Sequence, residues 1–288
     1  MILMMAAGCG KVSSTADVTP SPDVTSAPDA TPTPTLTSTP AATPTPTPTS
    51  TPVPTELPDT SGICIDASNF PDEIFRTYVS NEFDTNSDGY LSEKEVNNAV
   101  TVDVTWEKTE SLEGIQYFTN LEDIYAAYTR ISSLPDLSGC PSLKRIICSG
   151  ATSLKTIDLS GCLNLIYLDL GCCCSLSNLD VSKCLHLQWL YCNDTNISSL
   201  DVSGLTELTY LGCYEYEMNM CLSSLNVTGC TALEPIYCKG IPVSSLDVST
   251  CVNLKNLDIR WTGIRKIDIT NCTKLDYFMC DNNVEVIK

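Results

Sequence analysis

The apolar residues of this chain repeat at a fixed interval from about residue 99 onward. The pattern Leu-x-x-(Leu/Ile/Phe)-x-(apolar or Cys) occurs eight times, and successive copies lie 22, 22, 22, 21, 25, 21 and 21 residues apart. Ala99, Val102 and Val104 fit a degraded earlier copy. A period of about 20–29 residues predicts a solenoid, in which each unit buries its apolar face against its neighbours. The opening leucines are Leu121, Leu143, Leu165, Leu187, Leu208, Leu233, Leu254 and Leu275.

Residues 61–100 have a helical periodicity instead. Asn69 is the predicted N-cap of a first helix, with Pro71 in its first turn, and apolar residues then recur at helical spacing as far as Phe83. After a loop, Ser92 begins a second short helix, and Glu95 three residues on completes a capping box. The pattern predicts a small helical unit in front of the solenoid.

The loop between these helices, residues 84–95, fits the calcium-binding loop of an EF-hand. Gly89 provides the sharp turn, and oxygen ligands at this spacing are typical of Ca²⁺. The predicted role is structural, bracing the helical unit on the first repeat, because sensors usually carry paired loops. The alternative is a cap that keeps the loop shape without the ion. The predicted ligands are Asp84, Asn86, Asp88, Tyr90 through its carbonyl, Ser92 and Glu95.

The repeats resemble those of bacterial leucine-rich-repeat surface proteins of the short-repeat, internalin-like kind. In that family, positions 1, 4 and 6 of Leu-x-x-Leu-x-Leu point inward from a parallel strand, and position 9 is usually asparagine. Here position 9 is Thr129, Thr195, Thr262 or Asn283, with Ile241 in one copy. The resemblance covers roughly residues 99–288. It implies a leucine-rich-repeat solenoid with a parallel β-sheet horseshoe, a mostly extended or 3-10 convex side, and a small N-terminal α-helical EF-hand-like cap.

The same resemblance places the residues between the inward leucines on the concave face of the sheet. Exposed aromatic residues with acidic neighbours favour contact with a protein or a glycan. The alternative is that tyrosine simply suits the surface of a strand. The predicted ligand-binding face consists of Tyr125, Tyr167, Trp189, Tyr191, Tyr210, Tyr237 and Tyr277.

Eleven of the 17 cysteines fall into two ladders that follow the repeat. A cysteine at a fixed core position behaves as a small hydrophobic residue, so buried, reduced thiols are expected. The first ladder occupies position 6 and comprises Cys148, Cys192, Cys213, Cys238 and Cys280. The second lies near the end of each unit and comprises Cys140, Cys162, Cys184, Cys230, Cys251 and Cys272.

Charge and composition argue against several functions. The net charge is −19, with 16 basic and 35 acidic residues, so no basic stripe is available for nucleic acid. The single histidine, His186, excludes catalysis that needs two histidines. No nucleophile motif, phosphate loop or metal triad occurs, and we predict that the protein is not an enzyme. Five aspartates follow the repeat period, which indicates a structural ladder: Asp158, Asp180, Asp201, Asp247 and Asp268.

The N-terminal region predicts export. Residues 1–9 resemble a truncated lipoprotein signal in which Cys9 is the lipidated residue, so the membrane is contacted only through a lipid anchor. Residues 10–60 hold 12 of the 17 prolines together with many threonines, and they predict a disordered, extended linker. Residues 61–100 form the predicted cap and residues 101–288 the leucine-rich-repeat domain. The expected location is extracytoplasmic, as a membrane-anchored lipoprotein at the cell surface.

These features together predict a cell-surface binding protein. It recognises a protein or glycan through the concave face, and it carries a structural calcium site. The alternative is a self-associating structural envelope protein without a separate ligand. That alternative rests on the stop at Lys288, which lies within a repeat and has no polar cap, because an uncovered solenoid end tends to associate.

Overall fold

The computed structural model describes residues 61–215 and 221–288. The predicted signal at residues 1–9, the lipidation of Cys9 and the linker at residues 10–60 lie outside the described residues. No helix in the described part of the chain is long and apolar enough to cross a membrane.

The described part of the chain begins with the predicted helical cap. It comprises β1 (Ile63–Cys64), α1 (Glu73–Glu82), β2 (Tyr90–Leu91) and α2 (Glu93–Asn98). Strand β1 pairs antiparallel with β2, so that the loop before α2 is tied to the start of the cap. Helix α2 begins as the sequence predicts, because Ser92 is its N-cap and both capping-box bonds with Glu95 form.

The first helix begins three residues later than predicted. Its N-cap is Asp72, whose Oδ1 accepts a hydrogen bond from the Phe75 N–H (2.8 Å), and not Asn69. Phe70 turns into the core and is fully buried, and the residue before a proline avoids helical geometry, so the helix cannot start before Pro71. Asn69 instead accepts a hydrogen bond from the Tyr117 hydroxyl (2.9 Å), which joins the cap to the first repeat.

The repeats form short parallel strands, and we call each repeat, represented by its strand in the main sheet, a rung. A 3-10 turn, Ile115–Tyr117, follows the first rung, and every strand of the repeats is three residues long. The strands are β3 (Thr101–Asp103), β4 (Asp123–Tyr125), β5 (Arg145–Ile147), β6 (Tyr167–Asp169), β7 (Trp189–Tyr191), β8 (Ser199–Asp201), β9 (Tyr210–Gly212), β10 (Ser224–Asn226), β11 (Pro235–Tyr237), β12 (Asn256–Asp258), β13 (Lys266–Asp268), β14 (Tyr277–Met279) and β15 (Glu285–Ile287).

The rungs stack into one nine-stranded parallel sheet in the order β14-β12-β11-β9-β7-β6-β5-β4-β3. Two further parallel pairs, β8 with β10 and β13 with β15, give extended structure elsewhere in the repeats. Within the sheet, Ile146 lies opposite Ile124 and Leu168, and all three side chains are fully buried. The degraded first copy is confirmed as a rung, because β3 pairs with β4 in register and Val102 is fully buried.

In three repeats a threonine occupies position 9, in the turn after the strand, where the family that the repeats resemble usually has asparagine. The Thr129 hydroxyl donates a hydrogen bond to the carbonyl oxygen of Ala126 (2.8 Å). Thr262 makes the same bond to Ile259 (2.8 Å). Both threonine side chains are buried, so these bonds satisfy hydroxyl groups that would otherwise be costly inside the solenoid.

The cysteine ladders lie in the shared interior. All eleven of these residues are free thiols; ten are buried and Cys280 is half-buried. Burial raises the pKa of the thiols, to about 12 for Cys148 and about 11 for Cys230. The protonated thiol is therefore the resting form, and the Cys230 Sγ donates a hydrogen bond to the Val202 carbonyl on the preceding rung (3.0 Å).

The repeating aspartates close turns. Each carboxylate accepts a hydrogen bond from the backbone N–H two residues further on, and in the Asp180, Asp201 and Asp247 turns the distance is 2.9 Å. Asn226 makes the equivalent bond to the Thr228 N–H (3.1 Å), so an amide oxygen suffices. The serine two residues on, through its backbone and hydroxyl groups, lowers the pKa of each of the three carboxyl groups below 3.8.

This turn geometry predicts the acid stability of the protein. A lowered native pKa contributes stability that is present above the unfolded value of 3.8 and is lost as the pH falls below it. The triple variant Asp180→Asn, Asp201→Asn, Asp247→Asn should match the wild type at neutral pH and lose less stability in acid. The triple alanine variant should lose about 1–3 kcal/mol at neutral pH, because three turn bonds disappear. Urea denaturation between neutral and acid pH measures both effects. Equal acid slopes for wild type and the asparagine variant would refute the assignment.

Candidate ligand-binding surface and calcium loop

The strands place the predicted aromatic residues on one face of the sheet. Because side chains alternate along a strand, the first and third residues of each rung share the face opposite the buried middle residue. The in-register pairing makes two columns along this face. The first-position column runs Asp123, Arg145, Tyr167, Trp189, Tyr210, Pro235, Asn256, Tyr277; the third-position column runs Tyr125, Ile147, Asp169, Tyr191, Gly212, Tyr237, Asp258, Met279.

Five of the seven predicted aromatic residues form a continuous chain of ring contacts, which we call the aromatic strip. It consists of Tyr167, Trp189, Tyr191, Tyr210 and Tyr237. The ring centroid of Tyr167 lies 6.3 Å from that of Trp189 and 5.7 Å from that of Tyr191. Tyr191 stacks on Tyr210 at 4.5 Å, and Tyr210 lies 5.8 Å from Tyr237. The strip therefore crosses four adjacent rungs, β6, β7, β9 and β11.

Gly212 makes room for the closest pair of rings in the aromatic strip. It occupies the third position of β9, directly beside Tyr191 in the pairing register. A Cβ built there would lie 3.1 Å from the Tyr210 Cε1 atom and 3.5 Å from the Tyr191 Cδ1 atom. The first distance is tight and the second is an ordinary van der Waals contact, so a side chain at this position would crowd the Tyr210 ring.

Tyr125 and Tyr277 are not joined to the aromatic strip in the described contacts. Tyr125 lies on β4, where the Arg145 guanidinium donates hydrogen bonds to its hydroxyl oxygen (2.8 Å) and to Asp123 (3.0 Å). Tyr277 lies at the other end of the sheet, on β14, and is 43% exposed. Between it and the strip, Asp258 holds Arg260 through two side-chain hydrogen bonds of 2.6 and 2.9 Å.

The aromatic strip carries hydroxyl groups that remain protonated. Burial is the main cause that raises the pKa of Tyr167, Tyr191 and Tyr210 above 10. Asp169 lies beside Tyr191 in the pairing register, and burial raises the pKa of its carboxyl group as well. Its Oδ1 accepts a hydrogen bond from the Gly171 N–H (2.9 Å), which fixes the side chain. The surface offers flat apolar rings, hydroxyl donors and one positioned carboxyl group.

The predicted calcium loop has the turn that the motif requires. Ser87 and Gly89 both adopt left-handed backbone geometry, with φ of 57° and 84°. Asp84 is buried, and its two carboxylate oxygens accept hydrogen bonds from the backbone N–H groups of Asp88 (3.1 Å) and Gly89 (3.0 Å). Asn86 also accepts from the Asp88 N–H (3.1 Å). These oxygens gather inside the turn, and their chemistry fits a hard cation such as Ca²⁺.

Both carboxylate oxygens of Glu95 accept hydrogen bonds from other residues of the loop. Its Oε1 accepts from the N–H (2.8 Å) and hydroxyl (2.7 Å) of Thr85, and its Oε2 accepts from the N–H (2.9 Å) and hydroxyl (2.8 Å) of Ser92. Burial alone would raise the pKa of Glu95, but these bonds outweigh it and lower the pKa to about 2. In residues 61–215 and 221–288, no group of three or more histidine, cysteine or acidic side chains is gathered around a metal position. The carboxylate oxygens of Asp84 and Glu95 thus all accept hydrogen bonds from protein groups in this structure.

Sequence reasoning missed a set of exposed aromatic residues just after the strands. Trp106 is 71% exposed, Tyr128 38% and Trp261 61%. All three occupy position 8 of their repeats, in left-handed backbone geometry. Reading the repeat pattern two residues beyond position 6 would have found them, but that position need not be apolar and the periodicity does not mark it.

The fold and its periodic interior define a leucine-rich-repeat solenoid. Among solved structures, internalin C2 of Listeria monocytogenes is similar with a TM-score of 0.57 and 19% identity, covering 76% of this chain and 96% of its own. A leucine-rich-repeat protein of Leptospira interrogans is similar with a TM-score of 0.53 and 16% identity, covering 63% of this chain and 48% of its own. No protein-family model and no curated protein sequence matches the chain. At these identities the likeness shows the shared fold.

Proposed function

We propose that the protein is a cell-surface recognition protein that binds a protein or glycan ligand on the aromatic strip. The observation that carries this proposal is the unbroken series of ring contacts from Tyr167 to Tyr237 on one face of the sheet. Tyrosine and tryptophan dominate binding hot spots, because they present large contact areas and lose little conformational freedom on binding. Repeat solenoids offer such a surface as a continuous face over several rungs.

The geometry favours recognition by stacking and hydrogen bonding together. Each ring is mounted on a strand, and each strand is hydrogen-bonded to its neighbours, so the ring positions are fixed before the ligand arrives. The hydroxyl groups of Tyr167 and Tyr210 both hydrogen-bond to that of Tyr191, and Asp169 lies beside Tyr191 as an acceptor. Flat sugar faces and peptide side chains both meet these requirements, and the binding assay separates the two classes.

Replacing a ring of the aromatic strip should weaken ligand binding. We expect Tyr191→Ala and Trp189→Ala each to lower the affinity for the ligand tenfold or more, because central aromatic anchors typically contribute about 2 kcal/mol or more to binding. Tyr277→Ala is the matched control, since it removes an exposed tyrosine from the same sheet outside the strip. The measurement is binding of the full chain to arrayed oligosaccharides and purified extracellular proteins, followed by titration of each positive.

Equal loss in Tyr277→Ala and Tyr191→Ala, or no loss in either, would contradict the assignment of the strip. The alternative function, self-association without a separate ligand, is tested on the same preparation by sedimentation velocity. A single monomeric species at all concentrations excludes that alternative.

We propose a surface location on the same basis as the recognition function. A recognition face of this kind is useful outside the cytoplasm, and Cys9 is the residue that a lipid would modify. Metabolic labelling with a radioactive fatty acid tests it, because Cys9→Ser should remove the label from the protein.

We further propose that residues 84–95 bind Ca²⁺ as a structural brace. Asp84, Asn86, Asp88, the Tyr90 carbonyl and Glu95 would hold the ion, with Ser92 completing the shell. The support is the left-handed turn at Ser87 and Gly89 and the oxygen-only donor set. When bound, the ion would offset the charge of the loop carboxylates and tighten the cap. Because Glu95 must give up hydrogen bonds to Thr85 and Ser92, we expect a Kd of about 0.1–1 mM, as in extracellular calcium-binding modules.

Calcium should therefore raise the thermal midpoint of the full chain by about 3 °C when it is supplied at about tenfold its Kd. The matched variant is Asp84→Asn, Asp88→Asn, in which one acceptor oxygen remains at each position and two ligand charges are lost. We expect the midpoint of this variant to be the same in calcium and in chelator, whatever stability the lost loop hydrogen bonds cost it. Coincident wild-type curves with calcium and with chelator would remove the ion from the account and leave the cap shape intact.

A further inference from the structure

Trp106 is an exposed aromatic residue in a strained backbone conformation. Its φ is 68° and its side chain is 71% exposed. A bulky residue rarely adopts left-handed geometry outside a turn that requires it. The repeat turn requires it here, because position 8 is left-handed in other repeats as well, at Tyr128, Gly150, Cys172, Asp194, Gly240 and Trp261. The turn geometry of the solenoid therefore presents the Trp106 side chain at the surface.

One face of the Trp106 indole is covered. The Tyr128 ring on the next rung stacks against it with a centroid separation of 3.9 Å and an interplanar angle of 2°. Tyr128 in turn rests on Gly150, where an added Cβ would lie 2.4 Å from its Cδ1 atom. Backbone hydrogen bonds from Trp106 to Ala127 (2.9 Å) and from Tyr128 to Ser149 (2.9 Å) hold the two turns together. The stack is fixed, and one indole face remains for contact.

Trp106 also borders a groove of about 660 Å³, which we call the cap groove. Among the described residues, those that line it belong to α1, β3 and the turn after β3, and they include Glu73, Tyr78, Asp103, Trp106 and Glu107. The Asp103 N–H donates a hydrogen bond to the Tyr78 hydroxyl oxygen (2.9 Å), which ties α1 to the first rung at this groove. The volume lies in the range of ligand pockets, at about 300–1,000 Å³.

The charge in the cap groove is negative. Among the described residues, none of Glu73, Asp103 and Glu107 takes part in an ion pair. The nearest cation along α1, Arg76, is held by the carbonyl oxygens of Phe70 (2.7 Å) and Pro71 (3.2 Å). Lys108 follows Glu107 in the chain and does not line the groove. An approaching cation therefore meets carboxylates that are not already neutralised.

Another repeat of the same chain shows what such a tryptophan accepts. Trp261 stands at position 8 as Trp106 does, with the same left-handed geometry at φ of 60°. The Lys239 ammonium of the preceding rung lies 4.3 Å from the centroid of its ring. Trp106 stands on the first rung, where α1 and the cap groove take the place of a preceding rung. Within residues 61–215 and 221–288, the chain supplies a cation at Trp261 and none at Trp106.

We infer that the cap groove binds a lysine or arginine side chain of a partner protein. The cationic head lies on the free face of Trp106, where a cation–π contact forms, and Glu73, Asp103 and Glu107 balance its charge. The groove has room for the flanking peptide backbone. The net charge of −19 draws a basic segment toward the site. This site is separate from the aromatic strip, and the inference does not depend on the proposed function.

The test uses the full chain and fluorescein-labelled pentalysine in fluorescence anisotropy at about 0.15 M salt. Trp106→Asn removes the ring, and asparagine tolerates the left-handed backbone. Trp261→Asn is the matched control, because its ring face is already taken by Lys239. Glu73→Gln, Asp103→Asn, Glu107→Gln removes the groove charge. Its control, Glu93→Gln, Glu110→Gln, Asp276→Asn, removes the same charge from exposed positions outside the groove.

We expect Trp106→Asn and the groove triple variant each to bind pentalysine about tenfold more weakly, and both controls to stay within twofold of the wild type. Equal losses in the two triple variants would overturn the site in favour of diffuse attraction. Equal binding by Trp106→Asn and wild type, or no saturable binding by wild type, would overturn it as well. If Trp106→Asn does not fold, the two triple variants still decide. Neutral cellopentaose that binds in place of pentalysine would assign the groove to a glycan and reject the inference.

Discussion

Contact between neighbouring rungs is the interaction on which the rest of this structure depends. Each strand has only three residues, which is too short to persist alone, and its backbone groups are satisfied by the rungs before and after it. The same stacking buries one continuous line of apolar side chains and thiols. At the N-terminal end the cap closes this line, because Phe70 packs against Phe118 and both are fully buried.

The rung register also determines where chemistry is available. Because a strand alternates its side chains, burying the middle residue of every rung forces its neighbours onto the opposite face, about 4.8 Å from their counterparts on the next rung. Tyr191 and Tyr210 stack there beside Gly212, where a side chain would crowd the Tyr210 ring. The turns after the strands obey the same register, so a left-handed residue such as Trp106 finds Tyr128 directly beside it.

Much of this arrangement could be predicted from the sequence, since a stacked interior requires apolar residues at fixed intervals. The rungs, the degraded copy at Val102 and the cap helix at Ser92 follow from such local requirements. The start of α1 did not, because the choice between Asn69 and Asp72 depends on Phe70 turning into the core.

The periodicity also does not predict which rings contact one another or which partners a side chain binds. Tyr125 matches the pattern of the aromatic strip but is held apart by Arg145. Glu95 matches the calcium motif but faces Thr85 and Ser92. Trp106 stands at a position that the repeat leaves unconstrained. In each case the outcome depends on partners that are distant in sequence.

The most direct measurement of this stacked interior is cysteine alkylation followed by mass spectrometry. At about pH 8, iodoacetamide attacks thiolates, and burial both shields the ladder thiols and raises their pKa. The account predicts that ten ladder cysteines stay unlabelled in the native protein and are all labelled in denaturant, whereas half-buried Cys221 is labelled in both. If native ladder cysteines were labelled as fast as Cys221, the recurring residues would not share one interior and the stacked arrangement would be wrong.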